Sequence, residues 1–200
     1  MPDTLKLKNP HVFVKFAPLS IIDIDPTIQF AAEYFFNRRF SLQQEVGYGK
    51  FGNMWWIQSF ENQFLVETWR FRTEGRYYFV DDEYSDFSPY VALEILFKNA
   101  DRLQRAEVDR GGYREIIDFR FRKRVWGSHI KIGTQFLLGS RFIIDAYLGL
   151  GYRHIKVRTV GISAEEYSQS VDVDFFQRSV GNYPAPSVSL GFKVGYAFMR

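Results

Sequence analysis

Residues 186–200 read PSVSLGFKVGYAFMR, and this stretch decides the fold. From Val188 to Phe198 every second residue is large and apolar, whereas the residues between them are small or polar. Successive side chains of a β-strand point to opposite faces, so a period of two is the pattern of a strand. The stretch therefore predicts a strand with one apolar face and one polar face.

The same alternation recurs along the chain and predicts eight antiparallel strands. We place the first four strands at about 11–22, 27–36, 40–51 and 64–79. The fifth strand opens at Pro89, and the fifth and sixth strands meet at a two-residue turn, Gly111-Gly112. The seventh strand includes residues 144–152, and a polar loop over about 159–184 leads into the eighth. Pro18 indicates a bulge or a strand end within the first strand.

The composition suits one domain with a sizeable core. The chain has 200 residues, of which 46% are hydrophobic and 18% aromatic, and it has no cysteine, which excludes disulfides and thiolate metal sites. No run approaches the ~18 apolar residues of a membrane helix. A net charge of +3 is too weak to indicate a nucleic-acid partner, and we predict none.

We predict a single domain over residues 11–200, preceded by a polar periplasmic lead-in over residues 1–10. The lead-in lacks the apolar segment of a signal peptide. We therefore expect the mature form of an exported protein.

The polar faces of the predicted strands carry charges of both signs. Because buried charges need partners, we predict that these side chains form a network inside a closed sheet. An apolar outside around a charged inside is the pattern of a transmembrane β-barrel, whose strands need ~9–11 residues to cross. The predicted interior charge network comprises Lys15, Glu33, Glu45, Arg70, Arg72, Glu74, Arg76, Glu94, Lys98, Lys131, Asp145 and Lys193.

The hairpin around Gly111-Gly112 gives an independent check of this pattern. A two-residue turn there pairs residues whose numbers have a constant sum, and three of the pairs have opposite charges. These pairs are Asp109–Arg114, Arg105–Asp118 and Asp101–Arg122. The same register places Phe97 beside Trp126 and Leu93 beside Ile130. The hairpin is therefore predicted to run from a lipid-facing part, past an aromatic level, into a charged part that protrudes from the membrane.

Loop lengths set the predicted orientation. The turns at 37–39 and 139–141 are short, whereas the connections at 52–63 and 159–184 are long. Outer-membrane barrels have short periplasmic turns and long external loops. We therefore predict a barrel in the outer membrane of a Gram-negative bacterium, with the first strand starting and the last strand ending on the periplasmic side.

The sequence resembles outer-membrane proteins in several segments. GFKVGYAF, at 191–198, is similar to the C-terminal strand signal that the barrel-assembly machinery recognises, although Met199 and Arg200 follow the terminal aromatic residue. VKFAPLS at 14–20, PTIQFAAEYFF at 26–36 and SLQQEVGYG at 41–49 resemble a domain-of-unknown-function family of small barrels common in Bacteroidota. The resemblance implies an eight-stranded outer-membrane barrel of the OmpA or OmpX type and carries no known catalytic residues. The predicted assembly signal is Gly191, Gly195, Tyr196 and Phe198.

Ser128 beside His129 is the best candidate for catalysis, because some eight-stranded outer-membrane barrels modify lipid A. Nucleophilic catalysis needs a serine, a histidine and a carboxylate on one surface. Adjacent strand residues point to opposite faces, so His129 is badly placed to activate Ser128. We therefore predict no enzyme, no catalytic residues, no metal site and no cofactor. A lipid A-modifying enzyme is the alternative, and a soluble lipocalin-like carrier with an apolar interior is a third possibility.

The densest basic cluster comprises Arg114, Arg120, Arg122, Lys123 and Arg124. Such a cluster can bind lipopolysaccharide phosphates, or it can be paired with the acidic residues across the hairpin. We favour pairing for Arg114 and Arg122 and leave Arg120 and Arg124 open. Trp55 and Trp56 either anchor a partner protein or join the aromatic belt of the membrane interface. The candidate lipid or partner contacts are Trp55, Trp56, Arg120, Arg124 and Trp126.

Together these patterns predict a non-enzymatic outer-membrane β-barrel. We expect it to serve as a structural element or as an accessory subunit of a complex for protein insertion, secretion or uptake. An eight-stranded barrel is filled by its own side chains, so we predict no channel. The expected partners are outer-membrane lipid and lipopolysaccharide, protein subunits of such a complex, and the barrel-assembly machinery during biogenesis.

Overall fold

A computed structural model describes residues 12–23, 25–52, 63–79, 87–109, 112–139, 141–170 and 180–198. Eight antiparallel strands follow one another in chain order and close into one barrel, which confirms the predicted fold class. The strands are β1 Val12–Phe16, β2 Ile28–Phe35, β3 Phe40–Gly52, β4 Gln63–Tyr78, β5 Phe87–Asp109, β6 Arg114–Leu138, β7 Phe142–Val160 and β8 Gly181–Phe198. Within the described ranges, no helix is long and apolar enough to cross a membrane.

The first strand is shorter than its alternation predicted. β1 ends at Phe16, and Pro18 begins a 3₁₀ helix, Pro18–Ile21, in the part that we assigned to the strand. Proline has no N–H to donate to a strand ladder and its fixed φ suits the first turn of a helix, so Pro18 marks a strand end and not a bulge.

The last long connection is also shorter than predicted, and its first part contains a helix. β7 continues to Val160, β8 already begins at Gly181, and a helix α1, Ala164–Ser170, lies between them. Ser163 and Glu166 form a capping box, in which each backbone N–H donates to the other side chain at 3.0 and 3.2 Å. The sequence Ser-x-x-Glu is the signal of this motif, and our reading of the loop as polar and irregular overlooked it.

β8 closes the barrel by pairing with β1. We call the end of the barrel at which β1 begins and β8 ends the lower end. Val12 lies opposite Phe198 and Phe16 opposite Val194, so the ladder between these strands covers only five residue pairs. β7 and β8, in contrast, pair continuously from Phe142–Tyr196 up to Val157–Gly181. The barrel wall is therefore low at β1 and β2 and tall from β5 to β8.

The outer face of the lower wall is apolar. Leu93, Ile130 and Leu150 are more than half exposed and face away from the barrel axis. The polar exception on this face, Gln44, lies opposite Thr73, whose hydroxyl donates to the Gln44 side-chain oxygen at 2.7 Å. An apolar outer face of this size requires hydrocarbon around it. The arrangement is the reverse of that in a lipocalin-like carrier, in which the apolar side chains face the interior.

The register of the β5–β6 hairpin is the predicted one over its whole length. The three pairs of opposite charge, together with Phe97–Trp126 and Leu93–Ile130, are all partners in the ladder. Gly112 has a φ of +146°, which suits glycine at the turn, and Gly111 lies outside the described residues. The charged upper pairs lie on the outer face, as predicted.

Candidate functional site

The interior of the barrel holds the predicted charge network, and the structure places all twelve predicted side chains on the inner face. Eleven of them are buried, and Arg72 is half-buried. The twelve nevertheless divide into two groups at different heights. The lower group forms ion pairs between side chains of facing strands. Arg70 and Lys98, nearer the top, instead form ion pairs with the segment that connects β1 and β2.

Two carboxylates, Asp145 and Glu33, organise the lower end of the network. Asp145 accepts hydrogen bonds from Lys15 at 2.7 Å, Arg76 at 2.7 Å and the Tyr90 hydroxyl at 2.6 Å. Glu33 lies 2.5 Å from the Lys15 ammonium and also accepts hydrogen bonds from Tyr78, Gln135 and Ser41. Both carboxylates therefore have several donors, which is what a buried charge requires.

Glu74 organises the next level of the network. Arg76 donates to it at 2.6 and 3.0 Å, Lys131 at 2.8 Å and Lys193 at 3.2 Å. Lys193 also pairs with Glu45 at 2.7 Å, and Lys131 with Glu94. The membrane-level network thus contains five cations and five carboxylates, namely Lys15, Arg72, Arg76, Lys131 and Lys193 with Glu33, Glu45, Glu74, Glu94 and Asp145.

Aromatic side chains close the barrel below this network. Phe13, Phe35, Tyr78 and Tyr90 are buried and contact one another in a row, with ring centroids 4.8 to 5.3 Å apart. Ile143 and other apolar residues complete this cluster. The lower end of the barrel, which we predict to face the periplasm, is therefore closed by side chains.

The upper end of the interior is covered by the segment between β1 and β2, residues 17–23 and 25–27, which we call the strap. A hydrogen bond links the two arms of the strap, since the Thr27 N–H donates to the Ser20 carbonyl at 3.0 Å. Asp25 is fully buried and pairs with Lys98 at 2.5 Å, with Lys123 at 3.5 Å and with Arg102. The strap is thus held to the barrel wall by ion pairs.

The strap carboxylates remain charged at physiological pH. Burial by itself raises the pKa of Asp25, but Lys98, Arg102 and Lys123 outweigh it and hold the pKa well below its ordinary value. The pKa of Asp23 is likewise lowered to about 2, because Lys98 and Arg70 outweigh the effect of burial. Our strand assignment left only residues 23–26 between the first two strands, because nothing in the local pattern shows which distant cations such residues meet.

The inner face also carries apolar side chains, at and above the level where Lys98 and Lys123 meet the strap. Phe119, Phe121, Val125, Ile155 and Val157 are buried in an apolar cluster inside the tall part of β5–β8. Tyr167 of α1 covers the cluster, with its ring 5.6 Å from that of Phe119 and 5.9 Å from that of Phe121. We call this tall part, residues 101–109 of β5 and 114–125 of β6 with the facing parts of β7 and β8, the extension. It has an apolar core and a charged outer face.

His129 lies inside the barrel, whereas Ser128 is exposed on the outer face, so the two do not form a catalytic pair. Another serine, Ser187, meets His129 with its Oγ 2.7 Å from Nε2, and Glu94 Oε1 lies 2.8 Å from Nδ1. Ser187, Gly151, His129 and Glu94 occupy one row across β8, β7, β6 and β5. A Cβ at Gly151 would lie 2.7 Å from the His129 ring, so the glycine makes room for it. Sequence reasoning missed this arrangement because Ser187 is distant in the chain.

The basic cluster on β6 is divided between the two faces. Lys123 points inward to Asp25, Arg114 pairs with Glu107 at 3.5 Å, and Arg122 pairs with Asp101 at 3.2 Å. Arg120 lies 3.8 Å from the same Asp101. Arg105 and Asp118 pair on the outer face at 2.7 Å, as the register predicted. Arg124 is exposed on the outer face.

The remaining predicted contact residues have mixed outcomes. Trp126 is exposed on the outer face and contacts Phe97, with ring centroids 4.7 Å apart. Trp55 and Trp56, the lead-in at 1–10 and the final Met199 and Arg200 lie outside the described residues. Gly191, Gly195, Tyr196 and Phe198 lie in β8, where Phe198 is exposed beside β1. Their role as an assembly signal stays a prediction.

Residues 12–183 match the model of the family described as a protein of unknown function, DUF3575. The chain therefore belongs to this family. No curated protein matches the sequence.

Three solved structures are similar to the chain at low sequence identity. A major outer membrane protein from Thermus thermophilus is similar with a TM-score of 0.53 and 10% identity, over 94% of this chain and 98% of the other. CarO of Acinetobacter baumannii gives a TM-score of 0.48 and 10% identity, over 98% of this chain and 100% of the other. Neisserial surface protein A gives 0.39 and 15%, over 94% of each chain. The closed eight-stranded sheet, together with the likeness to the Thermus protein, gives the fold of a small outer-membrane barrel.

Proposed function

We propose that the protein is a non-enzymatic barrel of the outer membrane that acts through its extension and outer wall, as a structural element or as an accessory subunit of an outer-membrane complex. The observation that carries this proposal is the filled interior. At the level of the lipid-facing wall, each network carboxylate is at most 1% exposed and is paired with cations from facing strands. Such a lumen leaves the outer surfaces as the places where a partner can bind.

The tall extension supports a role outside the membrane. β5 and β6 pair for 23 residue pairs, whereas a strand needs only ~9–11 residues to cross a membrane. The excess length has its own apolar core in the cluster around Phe119 and Phe121. A rigid, folded projection of this kind suits contact with another protein better than it suits a permeation path.

Isolation from native membranes tests the accessory role. We expect a tagged form, extracted in mild detergent, to retain a stoichiometric protein partner that is identified by mass spectrometry. A matched control form that lacks the hairpin tip, residues 106–117, should lose the partner while keeping the heat-dependent gel shift of a folded barrel. Recovery of the full-length barrel with lipid alone would contradict the subunit role. Ion conductance in a planar bilayer would contradict the filled lumen.

One observation favours a second candidate function, a hydrolase that acts on a lipid. The Ser187–His129–Glu94 arrangement has the hydrogen-bonding distances of a catalytic triad. Its position speaks against catalysis, because His129 is 3% exposed and Ser187 5% exposed, inside the barrel. Reaction with a fluorophosphonate probe distinguishes the two functions. The structural role predicts no labelling of the native barrel, whereas labelling that is lost in Ser187→Ala would establish the enzyme.

A further inference from the structure

Three cations lie close together on the outer face of β6 and β7. Arg124 is opposite Lys156 in the ladder, and Arg158 lies two residues above Lys156 on the same face. All three side chains are exposed. Among the described residues, none of the three takes part in an ion pair, whereas neighbouring Arg120 and Arg122 both approach Asp101.

The neighbouring aromatic residues indicate the height at which these cations lie relative to the membrane. Trp126 lies two residues below Arg124 on the same face, which corresponds to about 6.8 Å along a strand. Trp126 is 57% exposed, and it contacts Phe97 and lies opposite His154. Aromatic residues of this kind mark the boundary between hydrocarbon and head groups in outer-membrane barrels. The three cations therefore lie at the height of the outer-leaflet head groups.

An apolar strip lies lower on the same face, below the row that contains Ser128 and Tyr152. Ile130, Leu150 and Val188 lie side by side across β6, β7 and β8, with exposed fractions of 66%, 67% and 63%. Ile132, Leu148 and Leu190 form the next row below. The surface thus offers cations at head-group height and hydrocarbon contact that begins about 20 Å lower along the strands.

We propose that Arg124, Lys156 and Arg158 bind a phosphate group of an outer-leaflet glycolipid, with its acyl chains along the strip from Ile130 to Val188. A guanidinium forms paired, charge-assisted hydrogen bonds to phosphate, and an ammonium adds a third positive charge. A phosphorylated glycolipid has a phosphate group for the three cations and acyl chains for the apolar strip, whereas a free anion contacts only the cations. This inference rests on the outer-membrane placement of the proposed function and assigns a ligand to its outer wall.

The test measures binding of lipid A by native mass spectrometry of the detergent-solubilised barrel. The probes are diphosphorylated lipid A, the same lipid with its phosphates removed, and inorganic phosphate. The variant Arg124→Gln with Lys156→Gln removes two cations of the site. Arg105→Gln with Arg114→Gln is the matched control, since it removes the same charge from the extension at positions that have carboxylate partners.

We expect the site variant to bind diphosphorylated lipid A about 30-fold more weakly, from about 1 kcal/mol for each cation near a membrane surface. The control should stay within about twofold of the unmodified protein, and all forms should bind the dephosphorylated lipid equally weakly.

Equal binding of diphosphorylated lipid A by the site variant and the control would overturn the proposal. Displacement of lipid A by an equal concentration of inorganic phosphate would overturn the glycolipid assignment, since the strip would then contribute nothing. Neither result would affect the structural role, which is measured by partner retention and conductance.

Discussion

The lower barrel and the extension share strands but reverse the chemistry of their two faces. On lower β6, Ile130 and Ile132 face outward while Lys131 is buried. On upper β6, Arg120 faces outward while Phe119 and Phe121 are buried. The ladder with β5 runs without a register shift from Phe87–Phe136 to Asp109–Arg114. The reversal therefore comes from the residues and not from a change in the strand.

This difference shows that the polarity of the residues on each face of a strand matches the medium that the face contacts. Hydrocarbon outside the lower wall excludes charge, so the charged residues turn inward and pair there. Water outside the extension accepts charge, so the apolar residues turn inward and form an ordinary core. On the outer face the change occurs at the level of Trp126 and Phe97. The inner face is still charged at and just above this level, where Lys98, Arg102 and Lys123 pair with Asp25 of the strap.

Charge removal should affect the two regions very differently. Asp145→Asn leaves Lys15 and Arg76 buried with one carboxylate fewer, which should cost about 3–5 kcal/mol in the free energy of unfolding. The matched variant Asp101→Asn breaks a partly exposed pair with Arg122 and should cost less than about 1 kcal/mol. Urea titrations of the barrel in lipid vesicles measure both. Similar losses in the two variants would contradict the account.

Truncation of the extension core should have a large but local effect. Phe119→Ala opens a cavity in the apolar cluster under Tyr167 and should cost about 3–5 kcal/mol within the extension. Because the lower barrel has its own network, we expect proteases to cut the extension of this variant while the lower barrel keeps its heat-dependent gel shift. Loss of the whole barrel would show that the two regions fold as one unit.

A positive charge on the outer face sharpens the comparison further. Ile130 and Ile116 lie on the same face of β6 and are 66% and 63% exposed, so they differ mainly in the medium around them. Ile130→Lys should destabilise folding into vesicles by about 2–4 kcal/mol, whereas Ile116→Lys should change it by less than about 0.5 kcal/mol. Folding yields and urea midpoints in vesicles give both values. An equal effect at the two positions would place them in the same medium.

Lowering the pH should have the smallest effect of these changes, and the group to follow is the strap, which should stay closed. A depressed pKa contributes stability that is present above the ordinary value of about 3.9 and is lost only as the pH falls through the folded value. For Asp23 that value is about 2, so the strap should stay closed from pH 7 to about pH 4. A spin label at exposed Ile22 should therefore keep its mobility over this range. Release at about pH 5 would mean that the carboxylates are not held by Lys98 and its neighbours.

The sequence was most informative where the relevant contacts are periodic or local. The pair Asp101–Arg122 and the ring contact Phe97–Trp126 follow from one turn position and the period of two. The capping box Ser163–Glu166 was also readable from the sequence, although we did not use it.

Contacts between distant parts of the chain could not be read in the same way. Asp25 meets Arg102 and Ser187 meets His129 only because the barrel closes and because the strap folds over its opening. The alternation of a strand shows which face a residue lies on, but not the height at which another strand places its partner. Lys123 shows the same limit, since its inward direction was predictable and its pairing with Asp25 was not.

The reversal at Trp126 is tested most directly by measuring which reagents reach the outer face of β6 in lipid vesicles. The chain has no cysteine, so single cysteines can be introduced at positions 116, 118, 120, 130, 132 and 136 and spin-labelled without background. We predict that dissolved oxygen, and not a water-soluble nickel complex, relaxes the labels at 130, 132 and 136. The nickel complex should relax those at 116, 118 and 120. Access of the nickel complex to all six positions, or to none of them, would contradict the two-medium account.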